Sequence, residues 1–248
     1  MLLGSDQPFY GLQPRGLDGR LAPFETVEVM AEHYLAEVRT VQPHGPYRLV
    51  GVCMGGLVAF EMAQRLRAEG EEVAFLALLD VRPPQPLRRW LPARRQRLSG
   101  AIFRLMASRL AAYSRSAWQR PSRKQVREIV DRVRRIFTLA STGDPLQGAR
   151  GELYRQIVTA ANAAAMHRYI PRRYSGSLVL VLAADRKYAH GKDRRLEWRK
   201  LVAGGVDICV VPGADSGLTL VDPNVRTLAE EFRARLERAT ARSVDVGD

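Results

Sequence analysis

Cysteine and histidine are both scarce in this chain of 248 residues. Its two cysteines, Cys53 and Cys209, show no CxxC spacing, and its four histidines, His33, His44, His167 and His190, do not cluster. A disulfide scaffold and a zinc site are therefore not expected, and a reducing, cytoplasmic setting fits best. No run approaches the roughly 18 apolar residues that a membrane helix requires, so no membrane partner is expected. The opening residues Met1 to Asp6 lack a basic segment followed by a long apolar one, so no signal peptide is expected. Acidic side chains are also in short supply, 26 against 39 Lys and Arg, for a net charge of +13. The imbalance is local. Between Arg82 and Arg135 there are 16 Lys or Arg and two acids, Glu128 and Asp131, so this segment carries the whole excess and the remainder is near neutral. Concentrated positive charge of this kind points to an acidic partner.

What is present is a substantial apolar complement, 46% of residues. That suits a single α/β domain with an insertion. Gln7 to Leu12 reads as a short strand before the turn-rich Gln13 to Gly19. Helical spacing of Val27, Met30, Ala31, Tyr34 and Val38 predicts a helix from about Val27 to Thr40, with Thr26 as its N-cap. Tyr47 to Val52 reads as a strand, followed by a helix carrying Val58, Phe60, Met62, Ala63 and Leu66 and ended by Gly70. The continuous apolar run Val73 to Leu79 reads as a strand covered on both faces. Strand, helix and strand at this spacing form a βαβ unit, hence a parallel sheet. Pro83, Pro84 and Pro86 break the pattern, and an Arg-rich stretch with helical periodicity follows, read as an inserted helical subdomain over 82–150. A helix from about Glu152 to Tyr169, strands at Leu178–Ala183 and Val206–Val211, and a helix from about Asn224 to Ala239 complete the pattern. Asp222 is the expected cap of that last helix and Pro223 its first residue. Residues 241–248 read as a loose tail.

The chemistry concentrates in Gly51-Val52-Cys53-Met54-Gly55-Gly56, which follows a strand and opens a helix. This is the G-x-nucleophile-x-G elbow with Cys in place of Ser. A nucleophile on so sharp a turn needs small neighbours, which Gly51 and Gly55 supply, while Gly56 lets the helix approach the sheet. The helix N-terminus directs N–H groups toward the thiol, with Met54 N–H as one oxyanion donor, and its field favours a thiolate. The alternative is a buried structural cysteine in a glycine-rich turn.

Several dispersed segments, in order, resemble the thioesterase domains of polyketide and nonribosomal-peptide assembly lines, an α/β-hydrolase family. They are Gln7 to Gly19, Val41 to Gly51, Val58 to Ala63, Leu78-Leu79-Asp80, Tyr169 to Gly176, Val211-Pro212-Gly213 and Asp222 to Val225. The resemblance covers most of the chain except the basic insertion. It implies an α/β-hydrolase-like fold, a mostly parallel central sheet flanked by helices with an inserted helical lid. It also implies an acyl or peptidyl substrate carried as a phosphopantetheine thioester, no cofactor of the protein's own, and an acidic carrier protein as partner. The family's acid falls on Asp80, with Asp185 as the alternative used by free-standing relatives. The Arg-rich lid, with Arg88, Arg89, Arg94 and Arg95, would receive the carrier; the plainer reading is a solvated amphipathic helix pair.

Two departures accompany the matches. Where the family places its general-base histidine, this chain has Ser216, in Gly213-Ala214-Asp215-Ser216-Gly217-Leu218; a serine is no base near neutral pH. His190, in the loop after the strand ending near Asp185, is the candidate substitute. The family's earlier strand, whose loop supplies a second oxyanion N–H, is not expected within these residues: either the start is misplaced, or the chain is truncated, or the hole is built differently. Two readings follow: a thioesterase or acyltransferase working through an acyl-Cys53 intermediate, with slow release to water, or a degenerate thioesterase that binds a carrier protein or acyl chain without turnover. A nucleic-acid binder is a third class. Trp90, Tyr113 and Trp118 interleave with the arginines, but no recognised binding motif accompanies them.

Overall fold

The computed structural model describes residues 2–3, 7–83, 148–185 and 194–245. Two compact units divide the chain. Among the described residues, the second unit holds 14–23 and 148–160, and the first holds the rest. The first unit begins with α1 (Val27–Val41), capped at its start by Thr26, whose side chain accepts from Val29 N–H. β1 (Tyr47–Val52), α2 (Met54–Ala68) and β2 (Val73–Leu79) form the expected βαβ unit. α3 (Gly148–Arg168) then leads to β3 (Leu178–Ala183), the short α4 (Arg194–Arg199), β4 (Val206–Val211), the one-turn α5 (Ser216–Thr219) and α6 (Asn224–Asp245).

Among the described residues four strands lie in the order β1-β2-β3-β4, every neighbouring pair parallel. Parallel neighbours need crossovers, and the helices between the strands cover the faces. Alternation along the strands sorts the apolar side chains. Leu76, Leu78, Leu178, Leu180 and Leu182 turn to one core with α1, α2, Tyr174 and Trp198. Phe75, Ala77, Leu79, Val179, Val181, Cys209 and Val211 turn to the other, where Leu228 and Phe232 of α6 close it. Each fully buried leucine contributes roughly 1.5–3 kcal/mol, so the sheet is held from both sides. α2 is also fixed by polar contacts. The buried Glu61 carboxylate accepts from Tyr169 Oη at 2.9 Å and from Arg65 Nε at 3.1 Å, and Gln64 Nε2 donates to Tyr169 Oη at 3.1 Å. Burial, and then the Glu61 carboxylate beside it, push the Tyr169 phenol above its ordinary range.

Three boundaries differ from the sequence reading. Gln7 to Leu12 forms no strand; Phe9 and Tyr10 are 74% and 68% exposed. Phe9 and Tyr10 give strand propensity, but a strand exists only with a partner's ladder beside it. α6 begins at the expected Asn224, so Pro223 stands just before its first residue, and the Asp222 carboxylate accepts from the Arg226 guanidinium at 2.7 Å. The same helix runs on to Asp245, through most of the expected tail. The expected lid over 82–150 lies almost wholly outside the described residues, apart from 82–83 and 148–150.

Candidate active site

In a parallel sheet with helical crossovers, ligand sites form at the carboxyl ends of the strands. All four of the loops there carry residues singled out by the sequence: Cys53 after β1, Asp80 after β2, Asp185 after β3 and Ser216 after β4.

Cys53 sits between β1 and α2 with φ 52° and ψ −119°, and its residue is exposed. Left-handed φ is costly for any residue with a Cβ, on the order of 1–2 kcal/mol. Two hydrogen bonds hold the turn against that cost. Cys53 N–H donates to Leu79 O at 3.1 Å, and Gly56 N–H donates to Cys53 O at 3.1 Å. The first extends the β1–β2 ladder one residue past the strand. The second closes the first turn of α2 and leaves the Met54 and Gly55 N–H groups at the helix start beside the thiol.

Asp80 has the same backbone character, with φ 54°. Cys53 and Asp80 are the non-glycine residues with left-handed φ among the described ones. They are also neighbours. Val52 pairs with Leu79 in the β1–β2 register, so the next residue on each strand is Cys53 on one and Asp80 on the other. Asp80 is buried, and its N–H donates to Val181 O on β3 at 3.0 Å. Two strained residues at adjacent strand ends are the pattern expected of a functional site rather than of packing.

The glycines of the elbow divide differently from the sequence reading. A Cβ on Gly51 would lie 2.4 Å from Gly56 Cα and 2.5 Å from Gly55 O, so only glycine fits there. A Cβ on Gly56 would lie 2.2 Å from Val81 Cγ2. A Cβ on Gly55 would meet nothing within 4 Å among the described residues. Gly55 is therefore not the second steric requirement of the turn; Gly56 is, because Val81 packs on it. Val81 in turn is tied down by Trp198, whose Nε1 donates to Val81 O at 3.1 Å. Trp198 is fully buried, edge-on to Phe60 of α2 with ring centroids 5.0 Å apart. The chain linking Trp198, Val81 and Gly56 thus locks the Asp80 loop to the elbow. Nothing in the sequence pattern marks Trp198 for this role, since it lies 117 positions from Val81.

The other half of the carboxyl edge is built otherwise. Asp185 is exposed, and its N–H donates to Gly213 O at 3.0 Å, tying the loops after β3 and β4 together. Ser216 is half-buried and opens α5, whose N-cap is Asp215; the Asp215 carboxylate accepts from Leu218 N–H at 2.9 Å. Asp185 is two strands from β1 and Ser216 three, so at about 4.8 Å per strand these loops start some 10–14 Å from Cys53 along the sheet.

Of the described histidines, His33 and His44 have partners away from Cys53. His33 lies on α1 against the Phe24 ring and 4.0 Å from Glu37. His44 precedes β1 at the amino edge, with Nδ1 3.1 Å from Glu71. His167 is exposed in the last turn of α3. His190 and Arg88, Arg89, Arg94 and Arg95 lie outside the described residues. The second thiol, Cys209, is buried in β4, and that burial pushes its pKa up to about 11. Among the described residues no group of His, Cys, Asp and Glu is arranged to hold a metal ion, and no helix is long and apolar enough to cross a membrane.

A family model described as "Thioesterase domain" matches residues 2–235. Two relatives are large synthetases. The chain is 49% identical over 78 residues to Malpibaldin synthetase of Mortierella alpina, covering 32% of this chain and 1% of that protein. It is 47% identical over 81 residues to a dimodular nonribosomal peptide synthase of Bacillus subtilis (strain 168), covering 33% of this chain and 3% of that protein. The matched part is therefore a few per cent of these relatives' length. Among solved structures, the NocB thioesterase domain from the Nocardicin cluster superposes with a TM-score of 0.56 at 24% identity, covering 90% of this chain and 79% of that one, a likeness of fold.

Proposed function

Because the chain belongs to the thioesterase-domain family, we propose that it accepts an acyl or peptidyl group from a phosphopantetheine thioester onto Cys53. The observation that carries this reading is the exposed thiol held at left-handed φ beside the equally strained Asp80. In the forward step the Cys53 thiolate attacks the thioester carbonyl carbon. The carbonyl oxygen becomes an oxyanion facing the Met54 N–H, and the carbon–sulfur bond to pantetheine breaks. The departing pantetheine thiolate takes up a proton equal to the one Cys53 released. Thiol and leaving group are chemically alike, so this exchange needs no strong base.

Release is the harder half. Water must lose a proton to attack the acyl-Cys53 carbonyl, and Ser216 in the loop after β4 cannot take it. Loss of a triad base generally costs several orders of magnitude. We therefore assign this chain a long-lived acyl-enzyme whose acyl group passes faster to an amine or thiol than to water. Asp80 is the acid of the site: it lies on the strand next to Cys53, whereas Asp185 starts two strands away. The acyl group arrives on an acidic carrier protein, and the Arg82–Arg135 segment, with Arg88, Arg89, Arg94 and Arg95, supplies the complementary charge.

Intact-protein mass spectrometry after mixing the chain with acyl-pantetheine thioesters tests this. The expected result is an adduct of acyl mass that is absent in Cys53→Ala and decays faster when an amine is added. Rapid turnover by Cys53→Ala sinks it. The second reading, carrier or acyl binding without turnover, is favoured by Ser216 at the expected base position. It predicts neither adduct nor product, with retained binding of an acidic carrier protein that weakens with salt.

A further inference from the structure

Gly55 is the odd member of the elbow. Gly51 and Gly56 are glycine because a Cβ would collide with backbone or with Val81, at 2.4 Å and 2.2 Å. At Gly55 a Cβ has open space to 4 Å among the described residues, and the residue is exposed. Its φ is not left-handed, so the backbone does not require glycine either. Glycine inside a helix is destabilising relative to alanine. Among the described residues nothing requires glycine here, and Gly55 lies two residues beyond the exposed Cys53.

We propose that Gly55 is a specificity-determining residue that keeps the surface beside Cys53 bare for the group attached to the thioester carbonyl. The inference rests on the acyl-transfer reading above and names what that site selects. An attacked carbonyl carbon must come to about 3–3.5 Å from the sulfur, with its oxygen toward the helix start. The carbonyl's substituent on the acyl side then lies across the first turn of α2, over Gly55. A bare Cα there admits substituents at the acyl α-carbon, as in aminoacyl, peptidyl and α-methyl chains; a side chain there excludes them and still passes an acetyl group.

The test compares wild type, Gly55→Ala and Gly55→Val with acetyl- and isobutyryl-pantetheine, reading the rate of adduct formation on Cys53. A parallel arm alkylates Cys53 with iodoacetamide and with the bulkier N-phenylmaleimide, mapped by peptide mass. Both variants are expected to fold, with Gly55→Ala melting no lower than wild type. Acylation by isobutyryl-pantetheine should fall on the order of tenfold or more in Gly55→Ala and further in Gly55→Val, as one misplaced methyl group typically costs, while acetyl transfer changes only about two- to threefold. The phenylmaleimide rate should fall and the iodoacetamide rate hold. Equal rates for both substrates in all three proteins overturn the proposal, as does unfolding of Gly55→Ala, because the position would then not be open. If wild type forms no adduct with either thioester, acyl transfer itself fails and the α-carbon selectivity with it. The alkylation arm reports separately: a fall confined to the bulky reagent supports Gly55 as the control on access to the thiol, and unchanged rates with both reagents remove that role.

Discussion

The two halves of the sheet's carboxyl edge use opposite structural means. After β1 and β2, the chain turns through left-handed, strained residues, Cys53 and Asp80, held by a continued ladder and by packing that only glycine permits at two positions. After β3 and β4, it turns through an exposed Asp185, a left-handed Gly213 and a side-chain cap on a one-turn helix. Strain carried by residues with side chains marks where the scaffold has been set for chemistry; strain given to glycine, with a capped turn, marks where it has been set for stability.

Four measurements put that contrast to the test. The largest effect is expected at Gly51. Gly51→Ala forces a Cβ into the backbone of Gly55 and Gly56 and should cost on the order of 3–5 kcal/mol, read as the shift in a urea unfolding midpoint; a loss under about 1 kcal/mol would mean the elbow relaxes freely. The next lies in the other half. Cys209 ionises at about 11 when folded against an ordinary 9.0. The unfolded chain therefore loses this proton first, so stability is full below pH 9 and falls as pH rises to 11, by about 1–3 kcal/mol. Cys209→Ala should flatten that decline in pH-dependent denaturation, after allowance for its own cavity cost. At Cys53 the sign reverses. Cys53→Gly removes the acyl adduct and relieves the left-handed φ, so it should raise stability by about 1 kcal/mol, measured by calorimetry. A destabilised Cys53→Gly would show that the turn is not strained. The smallest effect is at Asp215. Asp215→Ala loses the cap of α5 and should cost about 0.5–1 kcal/mol while leaving the rate of Cys53 acylation unchanged. A large loss of acylation would bring the β3–β4 half into the reaction.

These contrasts were only partly visible in the residue order. The elbow was legible because its signals are local: an apolar strand, a small–x–nucleophile–x–small turn and a helix in immediate succession. Asp80 was visible only as the residue that closes the apolar run Val73 to Leu79; its role as the acid, with Asp185 as the alternative, came from the family resemblance. Which glycine serves the turn was not, because the deciding atom is Val81 Cγ2, twenty-five positions from Gly56. Trp198 escaped notice for a similar reason: its partner is a backbone carbonyl on another strand's loop. The segment Gln7 to Leu12 forms no strand because the propensity of Phe9 and Tyr10 is not enough without a partner strand, and the final helix runs past its expected end, to Asp245, because no Gly or Pro interrupts it before Gly247.

Periodicity and short-range chemistry were enough for β1 to β4, their parallel arrangement, the helix cap at Thr26 and the thiol at the turn. No local pattern carries the facts that Cys53 and Asp80 stand side by side, that both are strained, and that Gly55 has open space around it among the described residues. Those facts depend on strand register and on contacts between residues far apart in the chain, where hydrogen bonds and close packing, rather than local preference, set the backbone.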